Sequence, residues 1–166
     1  MTATFVCADD VAPVAWKNGG GLTRHLLCEP GGEGWRWRVS LADIDRDGPF
    51  SAFADVERWF AVVQGAGVRL AFASGEQRLG PHDAAIRFDG AEAPGCRLIE
   101  GRTRDLNLML RGGARGVMRR AGEGAVWSDA WPLRGRFDVQ TMTLQWGLPA
   151  GPLVAPGPVL WIGVAP

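Results

Sequence analysis

The sequence has almost no lysine. Of its 18 basic side chains only Lys17 is a lysine, and the others are arginine. Histidine is nearly as scarce, with only His25 and His82. No H-x-H or H-x-x-x-H spacing exists, so a catalytic metal centre with three converging protein ligands is not expected. Each histidine is read as a surface or strand position. The three cysteines, Cys7, Cys28 and Cys96, are odd in number and form no C-x-x-C pair, which argues against a disulfide framework and for a reduced, cytoplasmic setting. Net charge is absent too: 18 basic residues balance 18 acidic ones, and a nucleic-acid partner would need a basic excess. No apolar run is long enough to cross a bilayer, so no membrane partner is expected. The first residues carry neither a basic region nor a long apolar run, so no secretory leader is expected either.

Helix signals are missing as well. With 24 glycines and 11 prolines in 166 residues, breakers recur too often for long helices, and short strands joined by turns are expected instead. Hydrophobic residues make up 46% and charged residues 22%, enough apolar material for one compact domain over residues 1–166. Two pseudo-symmetric β halves could hide within it.

The chain then reads as strands. Residues 3–8 form a first strand and 11–16 an extended approach, with Pro13 keeping Ala12 out of helical geometry. Asn18-Gly19 signals a hairpin because both residues tolerate positive φ. Residues 22–28 leave as a strand and end at Glu29-Pro30-Gly31-Gly32. In residues 35–42 the odd positions are Trp, Trp, Val and Leu, while Arg36, Arg38 and Ser40 share the other face. That polar face borders either solvent or a pocket, solvent being commoner for a lone strand. Phe50 and Phe53 are too apolar for a free loop and are expected to wall a cavity. Residues 57–64 are apolar on both faces and should be central. In residues 105–111, Leu106, Leu108 and Leu110 form one stripe, and Asp105, Asn107, Met109 and Arg111 the other. Further strands are expected near 124–127, 136–146 and 158–164. The pattern predicts an all-β antiparallel sandwich or barrel.

No nucleophile elbow, phosphate loop or dinucleotide fingerprint is present. The residues point instead to an anion site. Lys17 brings a compact ammonium, Gly19 and Gly20 could expose backbone N–H groups, and Arg38 and Arg58 could clamp a carboxylate. Asp105 and Asn107 could hold a polar head group or orient an arginine. The competing reading makes Arg38, Asp105 and Arg58 structural ion pairs at the sheet rim.

Trp16-Lys17-Asn18-Gly19-Gly20-Gly21 with Thr23, Trp37 to Ala42, Gly48-Pro49-Phe50-Ser51-x-Phe53, Arg58, Phe88-Asp89-Gly90 and Asp105 to Met109 together resemble the HutD/Ves family, across residues 14–111. The resemblance implies a cupin-like fold, an RmlC-like jelly roll or bicupin, without the histidine metal motif of other cupins and with no cofactor. HutD members are associated with histidine-utilisation operons and regarded as small-molecule binders or regulators; Ves members are linked to stress responses. Family members often carry an acidic residue after the Thr23-x position, where this chain has Arg24 and His25. The function expected from the resemblance and the residues is binding of a small anionic metabolite, a carboxylate such as urocanate or a formylated or formimino amino acid. Lys17, Arg38 and Arg58 would neutralise it. Asn18 and Asn107 would orient it, Trp16 and Phe50 would pack on its apolar part, and Ser40 and Ser51 are counted among the ligand-binding residues with Gly19, Gly20 and Asp105. The alternative is a metal-free isomerase or hydrolase with Lys17 as a desolvated base or Schiff-base nucleophile near Arg38. A structural or protein-interaction role, and a homodimer, stay open.

Overall fold

The computed structural model describes residues 2–166. Among them the only helical turn is a 3-10 turn at Ala8–Asp10, and no helix is long and apolar enough to cross a membrane. The rest is built from 17 strands, numbered here in chain order, and every pairing is antiparallel.

A six-stranded sheet organises the chain. Its order is β2 (Val14–Ala15), β3 (Gly21–Glu29), β4 (Trp37–Ile44), β11 (Thr103–Leu110), β6 (Glu57–Gln64) and β9 (Ile86–Asp89). The strands with the strongest alternation, β4 and β11, pair at its centre, with Asn107 opposite Ser40 and Met109 opposite Arg38. Their apolar stripes therefore fall on one face. There Val39, Leu41, Leu106, Leu108 and Leu110 join Ala61 and Val63 of β6 in the largest core cluster.

The opposing half of that core comes from a five-stranded sheet, β1 (Thr4–Cys7), β15 (Thr143–Trp146), β14 (Leu133–Asp138), β17 (Val159–Ala165) and β12 (Arg115–Ala121). It contributes Met118, Phe137, Leu144, Leu160, Ile162 and Val164. Fully burying side chains of this size contributes about 1.5–3 kcal/mol each, so this contact is the main hydrophobic support of the fold.

Each large sheet also has an outward face with its own cover. The six-stranded sheet is covered by β5 (Gly48–Pro49), β10 (Gly95–Leu98), β7 (Val68–Phe72) and β8 (Gly75–Leu79), which enclose Ile44, Phe50, Phe60, Val62, Val68, Leu70, Leu79, Phe88 and Cys96. The five-stranded sheet is covered by β13 (Val126–Trp127) and β16 (Leu153–Val154) over Trp127, Ala155, Val159 and Trp161. The architecture is all-β and cupin-like.

Two expectations change. The strand expected from residue 35 starts at Trp37. Trp35 instead turns inward to pack with Val56 and Met109, on the side opposite Val39 and Leu41. Arg36 likewise leaves the polar stripe and donates to the Gly112 carbonyl. The segment 136–146 is two strands, because the Asp138 carboxylate accepts from the Gln140 and Thr141 amides and turns the chain.

Candidate functional site

The polar stripes of β4 and β11 face inward, into a cavity of about 520 Å³ between the six-stranded sheet and its cover. The reason lies in the cover. The loop after β4 and strand β5 bring Pro49, Phe50, Ser51 and Phe53 across the face that carries Arg38, Ser40, Asp105 and Asn107. Solvent would have been the usual neighbour of such a face.

The cavity brings together Trp16, Lys17, Asn18, Arg38, Ser40, Phe50, Ser51, Arg58, Asp105 and Asn107. Gly19 and Gly20 do not line it. Their amides are engaged within the turn, Gly19 donating to the Trp16 carbonyl and Gly20 to Asn18 Oδ1 at 2.8 Å, so the glycine run is no anion nest. The Asn18 side-chain oxygen is occupied by the same contact. The glycines have a steric role instead: Gly19 sits at φ +70°, and a Cβ on Gly21 would lie 2.2 Å from the Asp43 carbonyl oxygen. Arg46 fastens the turn by donating to the Gly19 carbonyl at 2.6 Å. Lys17 is exposed at the cavity mouth, so it lacks the burial that a desolvated base would need.

The floor of the cavity is different. Arg58 is 5% exposed and its guanidinium lies 5.1–5.6 Å from the ring centres of Phe50, Phe53 and Phe88. Its Nη2 donates to Asn107 Oδ1 at 2.9 Å, and Asn107 Nδ2 donates in turn to Asp105 Oδ2. Arg58 Nε and Nη1 and Asp105 Oδ1 are buried and have no protein partner. Burial lowers the Arg58 pKa to about 10, with Asp105 opposing the shift, so the guanidinium stays charged at neutral pH. Burial also pushes the Asp105 carboxyl up to about 7, against the opposing pull of Asn107 and Arg58.

Arg38 stands beside this group, 4.6 Å from the Trp35 ring centre, with its Nη2 on Met109 Sδ and its Nε unpartnered. The structural ion pair between Arg38 and Asp105 does not form; a chain of amide hydrogen bonds from Arg58 through Asn107 to Asp105 takes its place.

Two further lining residues, His25 and Thr23, were not among the expected ligand-binding residues. His25 and Thr23 of β3 enter because they stand opposite Ser40 and Ala42. A bulge after His25 then turns both Leu26 and Leu27 toward the main core. Partial burial and the Arg38 charge lower the His25 pKa. The two-residue period would have placed Thr23 and His25 in the cavity once the register with β4 was known. Among the described residues no three His, Cys, Asp or Glu side chains are grouped so as to hold a metal ion.

Fold and site together define a cupin-like β protein whose cavity has a cationic, aromatic floor. The model of the HutD family matches residues 8–129, about three quarters of the sequence, and the chain belongs to that family. HutD from Pseudomonas fluorescens SBW25 superposes with a TM-score of 0.87 at 28% identity, over 99% of this chain and 98% of that one. An uncharacterised 21.2 kDa protein in the hutC 3′ region of Pseudomonas putida is 41% identical over 105 residues, 61% of this chain and 55% of its own. Protein Ves of Citrobacter koseri is 34% identical over 98 residues, 58% of this chain and 51% of its own. The matched stretch thus spans about half the length of these two curated relatives.

Proposed function

We propose that the cavity binds a small carboxylate metabolite and that the protein serves as a binding or accessory component rather than as a catalyst. One observation carries this reading: Arg58 is buried at the floor with two N–H positions unpartnered, in a cavity large enough for a small metabolite. Buried guanidinium nitrogens without acceptors cost free energy, and a carboxylate is the acceptor whose geometry matches a guanidinium fork. The aromatic groups, Trp16, Phe50 and Phe53, would pack on an apolar or planar remainder.

The relatives suggest which acids to try. The Pseudomonas putida relative is placed beside hutC, and the solved Pseudomonas fluorescens HutD is described in a formate condition. Intermediates of histidine breakdown, urocanate and the formylated or formimino amino acids, are therefore the first candidates. A thermal-shift and calorimetric screen of these acids is expected to find at least one that stabilises the protein. Arg58→Met is expected to abolish that stabilisation, a loss of affinity of about a hundredfold or more, while the protein stays folded. A screen in which no carboxylate binds the wild type would end this reading.

A further inference from the structure

We infer that Asp105 binds the ligand as a neutral carboxylic acid, donating a hydrogen bond from Oδ1 to the ligand's carboxylate, so that one proton is taken up with each ligand bound. This inference rests on the carboxylate reading above and names the chemistry of that same site.

The geometry comes from a contrast between two equally buried aspartates. Asp43 and Asp105 are each 1% exposed. Asp43 is built as an anion: Arg24 Nη1 lies 2.8 Å from its Oδ2 and Arg104 Nε 2.6 Å from its Oδ1. Asp105 has nothing of the kind. Its Oδ2 accepts from the neutral Asn107 amide, its Oδ1 has no partner, and no ion pair to it forms among the described residues. The nearby guanidinium, Arg58, reaches it only through Asn107, and its Nε and Nη1 have no protein partner in the lining of the same cavity.

A carboxylate docked on Arg58 would therefore share a desolvated site with the Asp105 carboxyl. A second carboxylate beside Asp105 disfavours its charged form, and because no guanidinium contacts Asp105 directly, a shared proton relieves the repulsion. The step balances simply: the ligand enters as its anion, a proton from the buffer adds to Asp105 Oδ1, and no other bond forms or breaks. The proton also turns an orphaned acceptor into the donor that a carboxylate needs.

The surrounding groups leave Asp105 to take that proton. Arg58 on β6 and Arg38 on β4 are cations, Asp43 is fully paired, and Lys17 is exposed at the mouth. Burial pushes the Cys96 thiol on β10 up to about 12, and His25 on β3 is held below its ordinary value. The free Asp105 carboxyl, pushed up to about 7 by burial, is already poised, and an incoming anion raises it further.

The test uses formate, whose own charge is constant from about pH 6 to about pH 9. Calorimetry of the wild type at about pH 8, in buffers of different ionisation enthalpy, is expected to show about one proton taken up per formate. The affinity should fall about tenfold per pH unit above neutrality, a drop of about a hundredfold from pH 7 to pH 9. Asp105→Asn keeps a neutral donor of the same shape, since its oxygen can accept from Asn107 while its NH2 faces the cavity. It should bind formate with pH-independent affinity, within about threefold of the wild type's acid-side value, and with no proton uptake. Formate binding to the wild type with no proton uptake and flat affinity would overturn the inference while leaving the carboxylate reading intact. So would an Asp105→Asn protein that is folded but no longer binds. Absence of formate binding to the wild type at every pH, with no other carboxylate binding in the screen, would overturn both.

Discussion

Arg58 and Arg134 are buried to nearly the same degree, 5% and 3% exposed, and both stack on aromatic rings, yet they do opposite things. Arg134 sits on β14, facing the cover of the five-stranded sheet. Its Nη1 donates to the Pro149 and Gly151 carbonyls at 2.6 and 2.7 Å, and its Nη2 to the Trp127 carbonyl at 3.3 Å. The space around it is filled: Trp127 stacks on Trp161 with ring centres 5.1 Å apart, and Trp131 lies over Gly163, where a Cβ would come within 2.3 Å of the ring. Arg58 has a single side-chain acceptor and an open cavity before it. One half of the molecule uses its buried cation to tie down a loop. The other leaves its cation with two unpartnered nitrogens beside a cavity. Neither a buried charge nor an unpartnered Nε, which both arginines have, separates the two; what differs is Arg58 Nη1, which has no acceptor and belongs to a side chain lining a cavity.

The sharpest way to break this comparison is to remove each cation in turn. Arg134→Met should destabilise by about 3–5 kcal/mol, because three backbone carbonyls lose their donor in a closed site. Arg58→Met should change stability by less than about 1 kcal/mol, since it also removes unpartnered buried N–H groups. Denaturant titration of both variants measures the difference, and equal losses would show that Arg58 is structural after all.

A smaller effect is expected at Asp105. Its folded-state pKa is raised, so the protonated native form is favoured at low pH and that advantage is lost as pH rises through about 7. Wild-type stability should fall between about pH 4 and about pH 7, by on the order of 2–4 kcal/mol, from this group. Asp105→Asn should match the wild type near pH 4 and exceed it above pH 7; thermal melts across that range read the sign directly. The smallest change belongs to the rim. Lys17→Ala should leave stability within about 0.5 kcal/mol. Being exposed, it should weaken carboxylate binding by less than about fivefold, and less again at high salt. A hundredfold loss would instead place the ammonium in the bound complex as a desolvated partner.

Lys17 also shows where sequence reading stops. Its rarity singled it out, but rarity is a property of composition, and position decided otherwise: the ammonium stands at the mouth, and Arg58, one arginine among many, holds the floor. The same holds for Asp105 and Asn107. Their place on one stripe of β11 was legible from the two-residue period, whereas the unpartnered oxygen of Asp105 was not, because it depends on which side chains two other strands bring to it. Trp35 was misplaced for a related reason. Alternation predicted it with Trp37, but the strand begins two residues later, and the ring instead carries the Arg38 and Arg111 guanidiniums.

What the sequence determined by itself was the class of fold and the two-sidedness of its central strands. Breaker-rich turns and strict alternation admit few other solutions. The family resemblance also came from local runs, whose residues are close in the chain. Only the tertiary structure decided what covers each face, because alternation tells which residues look the same way and says nothing of what they look at. Here β5 and the Phe50–Phe53 loop close over one polar stripe, and that cover places a pair of arginines and an aspartate in the lining of one cavity.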